Sequence, residues 1–327
     1  MRLRTRLGNA YAETLFRTGL LSGRRREWPV LLHYHRIGSE AFGRQMDYLT
    51  SWGTAVSLDQ ALACLRGETP PIPGAVVITF DDAYRRVCDE IRPVLTRCKV
   101  PATVYLVSDI MESKAVLWFD LVEWAIFSWR SGYHELLPAS LHACATPGDA
   151  LATRRAVLRS LRLCQLEERE RLVAEILARA GLVATDAPDR YRLVDWDDAR
   201  SMQEDELISL GAHTRTHPVL TRLSREQAWD EIAGAKVCIE ERLGCAVDHF
   251  AYPNGKEDDF DDQIGRMVIE AGYRSAVTTI AAHAEPRVDP YAVPRWGVSE
   301  EDTLATFAVK IAGLWPVERA RRRNRGG

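Results

Sequence analysis

Two carboxylates stand side by side in Thr79-Phe80-Asp81-Asp82, directly after the apolar run Ala75 to Phe80. Neighbouring like charges raise one another's pKa, so the pair needs a cation or a proton to be stable. A divalent metal on one of them would supply that cation. An Asp here could also cap a following helix, but a single residue suffices for that. Two histidines, His213 and His217, lie in Gly211-Ala-His-Thr-Arg-Thr-His-Pro218. Gly211 and Pro218 argue against a regular helix, which places His213 at a strand end and His217 on the returning loop. Imidazole nitrogen suits zinc, cobalt, nickel and iron. Two His and one carboxylate leave positions open for water and substrate, as in a catalytic centre rather than a closed structural one. In Leu32-His33-Tyr34-His35-Arg36, residues 33 and 35 point to one side of a strand and could reach the same site. Phe250-Ala-Tyr252-Pro253-Asn254-Gly255 reads as a tight turn after a strand, with backbone N–H groups able to face the site. His134, His142, His249 and His283 are read as packing residues.

These groups need elements to hold them at strand ends. Strands are expected at Val30–His35, Ala75–Phe80, Thr103–Val107, Leu207–Ala212, His249–Tyr252, Ser275–Thr278 and Val293–Val298. Helical spacing is read over Phe42–Trp52, Leu58–Leu65, Tyr84–Arg97 and Asp302–Ile311. Ser224-Arg-Glu-Gln227 has the form of a capping box, opening a helix that stops at Gly244, and another runs from about Asp261 to Gly272. Alternating strands and helices imply βαβ units and a parallel sheet. From about 112 to 195 the chain reads as a helical insertion. Trp118, Leu121, Val122, Ala125, Ile126 and Trp129 form one stripe there, and Leu158, Leu161, Leu172, Val173, Ile176 and Leu177 another.

The 327 residues suffice for one large α/β unit with an insertion, and a net charge of −3 argues against a nucleic-acid partner. The charge is uneven, with arginines at 2, 4, 6 and 24–26 and again at 319, 321–323 and 325. Residues 1–28 therefore form a basic segment, whose Leu3, Leu7, Ala10, Tyr11, Leu15 and Phe16 recur at helical spacing. This segment is expected to pack on the core, with peripheral membrane contact through the basic termini as the sharper alternative. Residues 317–327 form a basic tail. Seven scattered cysteines without a Cys-x-x-Cys motif fit reduced thiols. No signal peptide or transmembrane run is visible, so the expected location is cytoplasmic, peripheral at the inner membrane face if the basic segments bind lipid.

In this order the motifs resemble those of the polysaccharide deacetylases, the NodB-homology enzymes of carbohydrate esterase family 4. Thr-Phe-Asp81-Asp82, His213-Thr-Arg-Thr-His217-Pro and Phe250-Ala-Tyr-Pro-Asn-Gly255 are similar to that family's first three motifs. Tyr34-His35-Arg36-Ile37 resembles a subgroup whose catalytic histidine precedes the Asp motif, found in exopolysaccharide biosynthesis. The resemblance implies a distorted (β/α)7 barrel spanning 29–316 around the insertion, and hydrolysis of an N-acetyl group on a sugar or polysaccharide. It implies a divalent metal, zinc first and cobalt, nickel or manganese as alternatives, on Asp82, His213 and His217. Asp81 would be the general base, His35 the general acid, and the Tyr252 backbone N–H an oxyanion donor. Arg295 would orient Asp81, and Pro253, Asn254 and Trp296 would touch the substrate. Ala83 stands where the family has Gly, and Ala251 and Asn254 replace a usual Arg and Tyr. The alternatives are an amidohydrolase acting on a small non-sugar amide or imide, and a catalytically silent glycan- or partner-binding module.

Overall fold

Runs that are apolar without alternation must be covered on both faces, and such runs make the sheet. The computed structural model describes residues 2–21 and 23–316, with side chains from residue 8. The strands are β1 (Val30–Tyr34), β2 (Thr54–Ala55), β3 (Ala75–Phe80), β4 (Ala102–Leu106), β5 (Ile208–Ala212), β6 (His249–Ala251), β7 (Ser275–Val277) and β8 (Trp296–Gly297). Every residue of β1, β3 and β4 is buried. The sheet order is β7-β6-β5-β4-β3-β1-β8, with β2 paired to the start of β3. All pairings are parallel.

The register aligns the carboxyl ends. Tyr34 pairs with Phe80, Phe80 with Val104, Leu106 with Ala212, and Ala212 with Phe250. His35, Asp81-Asp82, His213 and Tyr252 therefore leave the sheet at one end. The sheet curls until its edges are joined by one segment: Val293 bridges to Val277, and Trp296–Gly297 pair with Leu32–His33. This is the expected distorted barrel. Helices Ser39–Trp52, Arg225–Leu243 and Asp262–Glu270 help cover its outside. The capping box at Ser224 and Gln227 forms as read, and Gly244 ends that helix at φ 67°.

The helix expected over Tyr84–Arg97 forms over residues 85–98 but is not regular. Tyr84 bridges to Leu193, Val87–Ile91 is a π-helical turn, and Arg92–Cys98 completes the helix. Pro93 lacks the N–H that a continuous ladder needs, and the wider turn before it accommodates the loss.

Between β4 and β5 lie the helices Trp118–Ser128, Ala150–Leu161 and Leu166–Ala180. Val122, Val157, Leu161, Leu172 and Ile176 form a hydrophobic cluster of their own there, as both stripes imply. The N-terminal helix Arg2–Arg17 lies against the helix Leu304–Ile311. Ala12 is buried, and the Phe16 ring meets Tyr48 at 5.6 Å. Arg25 sits over Trp52 and Arg26 pairs with Glu285, so part of the basic segment is used within the fold. The tail 317–327 and the side chains of Leu3 and Leu7 lie outside the described residues. No helix among the described residues is long and apolar enough to cross a membrane.

Candidate active site

Asp81 is buried at the end of β3, and burial alone would push its carboxyl up. Arg295 overrides this. Its NH1 and NH2 donate to the two Asp81 oxygens at 2.7 and 2.8 Å, with both side chains sealed from solvent. NH1 also donates to Thr79 Oγ1 at 2.7 Å and Nε to the Thr278 carbonyl at 2.9 Å. The fork is thus held in place by β3 and by the chain after β7, and the Tyr105 ring lies 5.5 Å from the guanidinium. This pairing holds Asp81 ionised, well below the usual carboxylate range. Tyr105 also explains Gly211, since a Cβ there would meet the ring at 2.5 Å.

Asp82 has the opposite environment. Both its oxygens are buried without a hydrogen-bond partner. Burial, Asp81 and Asp120 all push its carboxyl well up. His217 Nε2 is 3.3 Å and His213 Nε2 3.6 Å from its Oδ1. Bonds of about 2.0–2.1 Å at tetrahedral angles put donor atoms roughly 3.4 Å apart, so the trio fits a zinc-sized ion. His213 Nδ1 donates to the Ala251 carbonyl at 2.6 Å, which leaves the Nε2 lone pair facing Asp82. Burial lowers His213 to about 4 despite Asp81, and burial with His213 beside it holds His217 well below its ordinary value, so both rings are neutral as ligands must be.

His33 and His35 point to one side of the chain as expected, with ring centroids 5.4 Å apart. Each offers a ring nitrogen within 4.8 Å of an Asp81 oxygen. His33 is buried under Gly297, whereas His35 is open to the cavity. Surrounding protein still lowers the His35 pKa, with Asp81 opposing.

The cavity over these groups has a volume of about 540 Å³. Asp82, His217, His35 and Asn254 line it together with Trp118, Phe119 and arginines of the insertion. The Phe119 ring lies 5.2 Å from His217. Five of the eight described non-glycine residues with positive φ sit here: Asp82 (67°), Ala83 (53°), Thr214 (67°), His217 (59°) and Asn254 (59°). Left-handed backbone costs a non-glycine residue about 1–2 kcal/mol, and such strain gathers at functional sites.

A model of the polysaccharide deacetylase family matches residues 68–276. The chain belongs to the polysaccharide deacetylase family. Members of this family are hydrolases. Solved structures with the same fold include IcaB from Ammonifex degensii, 19% identical with a TM-score of 0.59 over 88% of this chain and 98% of that one. The Streptococcus pyogenes deacetylase PplD, solved with acetate, is 14% identical with a TM-score of 0.57 over 87% and 97%. A de-N-acetylase from Aggregatibacter actinomycetemcomitans is 14% identical with a TM-score of 0.53 over 86% and 99%. No curated protein sequence matches the chain.

In this deacetylase three expected contacts change. The Tyr252 amide already donates to the Val277 carbonyl at 3.2 Å, continuing the β6–β7 ladder, so it is not free for an oxyanion. The Tyr252 ring stacks on Phe260 and its hydroxyl donates to Tyr291. Asn254 instead faces the cavity, and its Nδ2 is buried without an acceptor. Pro253 and Trp296 are buried outside the cavity wall. Strand alternation explains Trp296: its neighbour Arg295 points inward, so Trp296 points outward, onto His283.

Residues that the motifs do not reveal hold the site from behind. Glu231 is buried on the helix Arg225–Leu243 and accepts the amides of Arg215 and Thr216, each at 2.9 Å. It thereby shapes the loop between His213 and His217. An acid among Ala228, Ile232 and Ala235 on a buried helix face is the one signal that could have found it. Asp120 of the insertion accepts the Tyr84 hydroxyl at 2.6 Å, and Arg36 lies 3.4 Å from its other oxygen.

Proposed function

We propose that this deacetylase hydrolyses the N-acetyl group of an amino sugar within a polysaccharide, releasing acetate and a free amine. The observation that carries the reading is the contrast between its two adjacent carboxylates. One is locked ionised by Arg295, and the other is unpartnered beside two neutral histidines. Asp82, His213 and His217 would hold the metal, with zinc first by donor type. Bound there, a metal supplies Lewis-acid polarisation of the acetyl carbonyl and a lower pKa for the attacking water.

Asp81 is the base that accepts a proton from that water as its oxygen attacks the acetyl carbon. Arg295 keeps Asp81 ionised and aimed, so it is free to accept at neutral pH. Negative charge then gathers on the carbonyl oxygen, where the unused Asn254 Nδ2–H is the nearest candidate donor in the cavity wall. His35 is the acid. An amine leaves poorly unless protonated, and His35 delivers that proton to the nitrogen as the C–N bond breaks. Trp118 and Phe119 supply apolar wall that helps exclude water from the cavity. His35 supplied from upstream of the Asp motif supports placement in the subgroup with an N-terminal catalytic histidine.

The test is acetate release from N-acetylglucosamine oligomers by protein loaded in turn with zinc, cobalt, nickel and manganese. Asp81→Asn is expected to lower release by about 10²–10⁴, and removal of the metal to abolish it. Undiminished turnover after either change would overturn the assignment.

A further inference from the structure

The cavity has a charge that a neutral amino sugar cannot use. Four of its twelve lining residues are arginines, Arg36, Arg154, Arg159 and Arg162, and its one lining carboxylate is Asp82 at the metal position. Three of the four come from one helix of the insertion and the residue after it, Ala150–Leu161 and Arg162. Positions 154, 158, 159 and 162 fall within one arc of that helix, so a single docking event aims Arg154, Leu158, Arg159 and Arg162 together.

A solvated charge face is the ordinary use of such arginines, and their partners argue against it. Arg36 and Arg154 share Glu123 at 2.9 and 2.6 Å, and both are about three-quarters buried. Arg162 lies 3.5 Å from the buried Asp259. Arg159 has no acidic partner among the described residues, yet it faces the same space. Arg36 also lies 3.4 Å from Asp120, so Arg36, Arg154 and Arg162 are matched by the three acids behind them, and the unmatched positive charge of the wall is the exposed Arg159. An anion entering the cavity would meet the unpaired Arg159 with the outward donors of Arg154 and Arg162 beside it. Guanidinium forks match the planar oxygens of phosphate and carboxylate.

We infer that the substrate carries an anionic group, phosphate or carboxylate, close to the N-acetyl sugar, and that the insertion's Arg154, Arg159 and Arg162 read it. This rests on the deacetylase reading of the site and assigns the insertion a role in substrate choice.

The experiment uses the full metal-loaded chain and three ligands: neutral N,N′-diacetylchitobiose, N-acetylglucosamine 1-phosphate, and a disaccharide of N-acetylglucosamine with glucuronic acid. Affinity is read by calorimetry and turnover by acetate release. At least one charged ligand is expected to bind roughly tenfold or more tightly than the neutral one, with the gap shrinking as salt rises. Phosphate preferred over carboxylate would point to a phosphate-linked sugar, and the reverse to a uronate-containing glycan. Arg159→Gln is made first, because its loss strands no buried acid, and Arg159→Glu second. Each is expected to shrink the charged-to-neutral ratio, the reversal more, with melting temperature unchanged. Equal affinity for charged and neutral ligands, or a ratio untouched by both substitutions, overturns the inference. Acetate release from the neutral sugar would then still stand for the deacetylase. Anion preference that is lost with Arg159, without acetate from any ligand, upholds the anion site and removes the deacetylase reading.

Discussion

Replacing Arg295 by methionine removes the fork that keeps Asp81 charged. Two charge-assisted bonds at 2.7 and 2.8 Å disappear, and Thr79 and the Thr278 carbonyl lose their donor. Stripping one partner from a buried pair costs about 3–5 kcal/mol, a large share of a total stability of about 5–15 kcal/mol. The protein can escape most of that cost by protonating Asp81, because burial alone drives its carboxyl up. A protonated Asp81 cannot accept a proton, so the base contribution, about 10²–10⁴ in rate, is lost at neutral pH. Arg295→Lys keeps a positive charge without the fork and should fall between. The assay is acetate release by metal-loaded enzyme across pH, with thermal unfolding alongside. Arg295→Met is expected to move the acid limb of kcat/KM to higher pH. The double variant with Asp81→Asn should be no slower than Asp81→Asn alone, since both changes disable one unit. Wild-type kcat/KM in Arg295→Met at neutral pH, or losses that multiply in the double variant, would refute the coupling.

Substituting His35 by glutamine should lower amide turnover by about 10²–10⁴ but spare an activated aryl acetate, whose leaving group needs no proton; comparing the two substrates checks the assignment. Glu231→Gln should loosen the loop between the two histidines and weaken metal binding by about 10–100-fold, read by competition with a chelator. Asp120 is pushed up to about 7 by burial, against Arg36 and the Tyr84 hydroxyl. An unfolded Asp titrates near about 3.9, so between that value and 7 the folded state binds the extra proton. The stability this contributes is fully present below about pH 4 and is lost as pH rises through 7, a change of up to about 4 kcal/mol. Denaturant midpoints of the metal-free protein at pH 5 and pH 8 should show it, and Asp120→Asn should flatten the difference.

The groups legible in the sequence are those whose meaning is local. Asp81-Asp82 and His213/His217 declare themselves because each pair sits next to an apolar run that ends in the site. His33 and His35 follow from alternation alone. Arg295 is weaker in sequence because its partner is 214 residues away, and Pro-Arg-Trp carries no pattern of its own. The fate of the Tyr252 amide is not legible, because ladder pairing decides which backbone donors are spent, and Val277 is invisible from residue 252. Trp296 could have been excluded by applying alternation to Arg295. The arginines of the insertion look like a solvent face until the helix is docked, because docking alone decides which arc meets the cavity.

The segment that joins the two edges of the sheet also carries Arg295, and this couples assembly to competence. Thr79 and Arg295 are 216 residues apart, so their contact closes a long loop and belongs to the slow, non-local part of folding. A chain emerging from the ribosome can form β1 to β7, with both histidines and both carboxylates in place, before residue 295 exists. In that interval Asp81 has no fork to aim it. Closure of the barrel and the aiming of Asp81 therefore rest on the same residue.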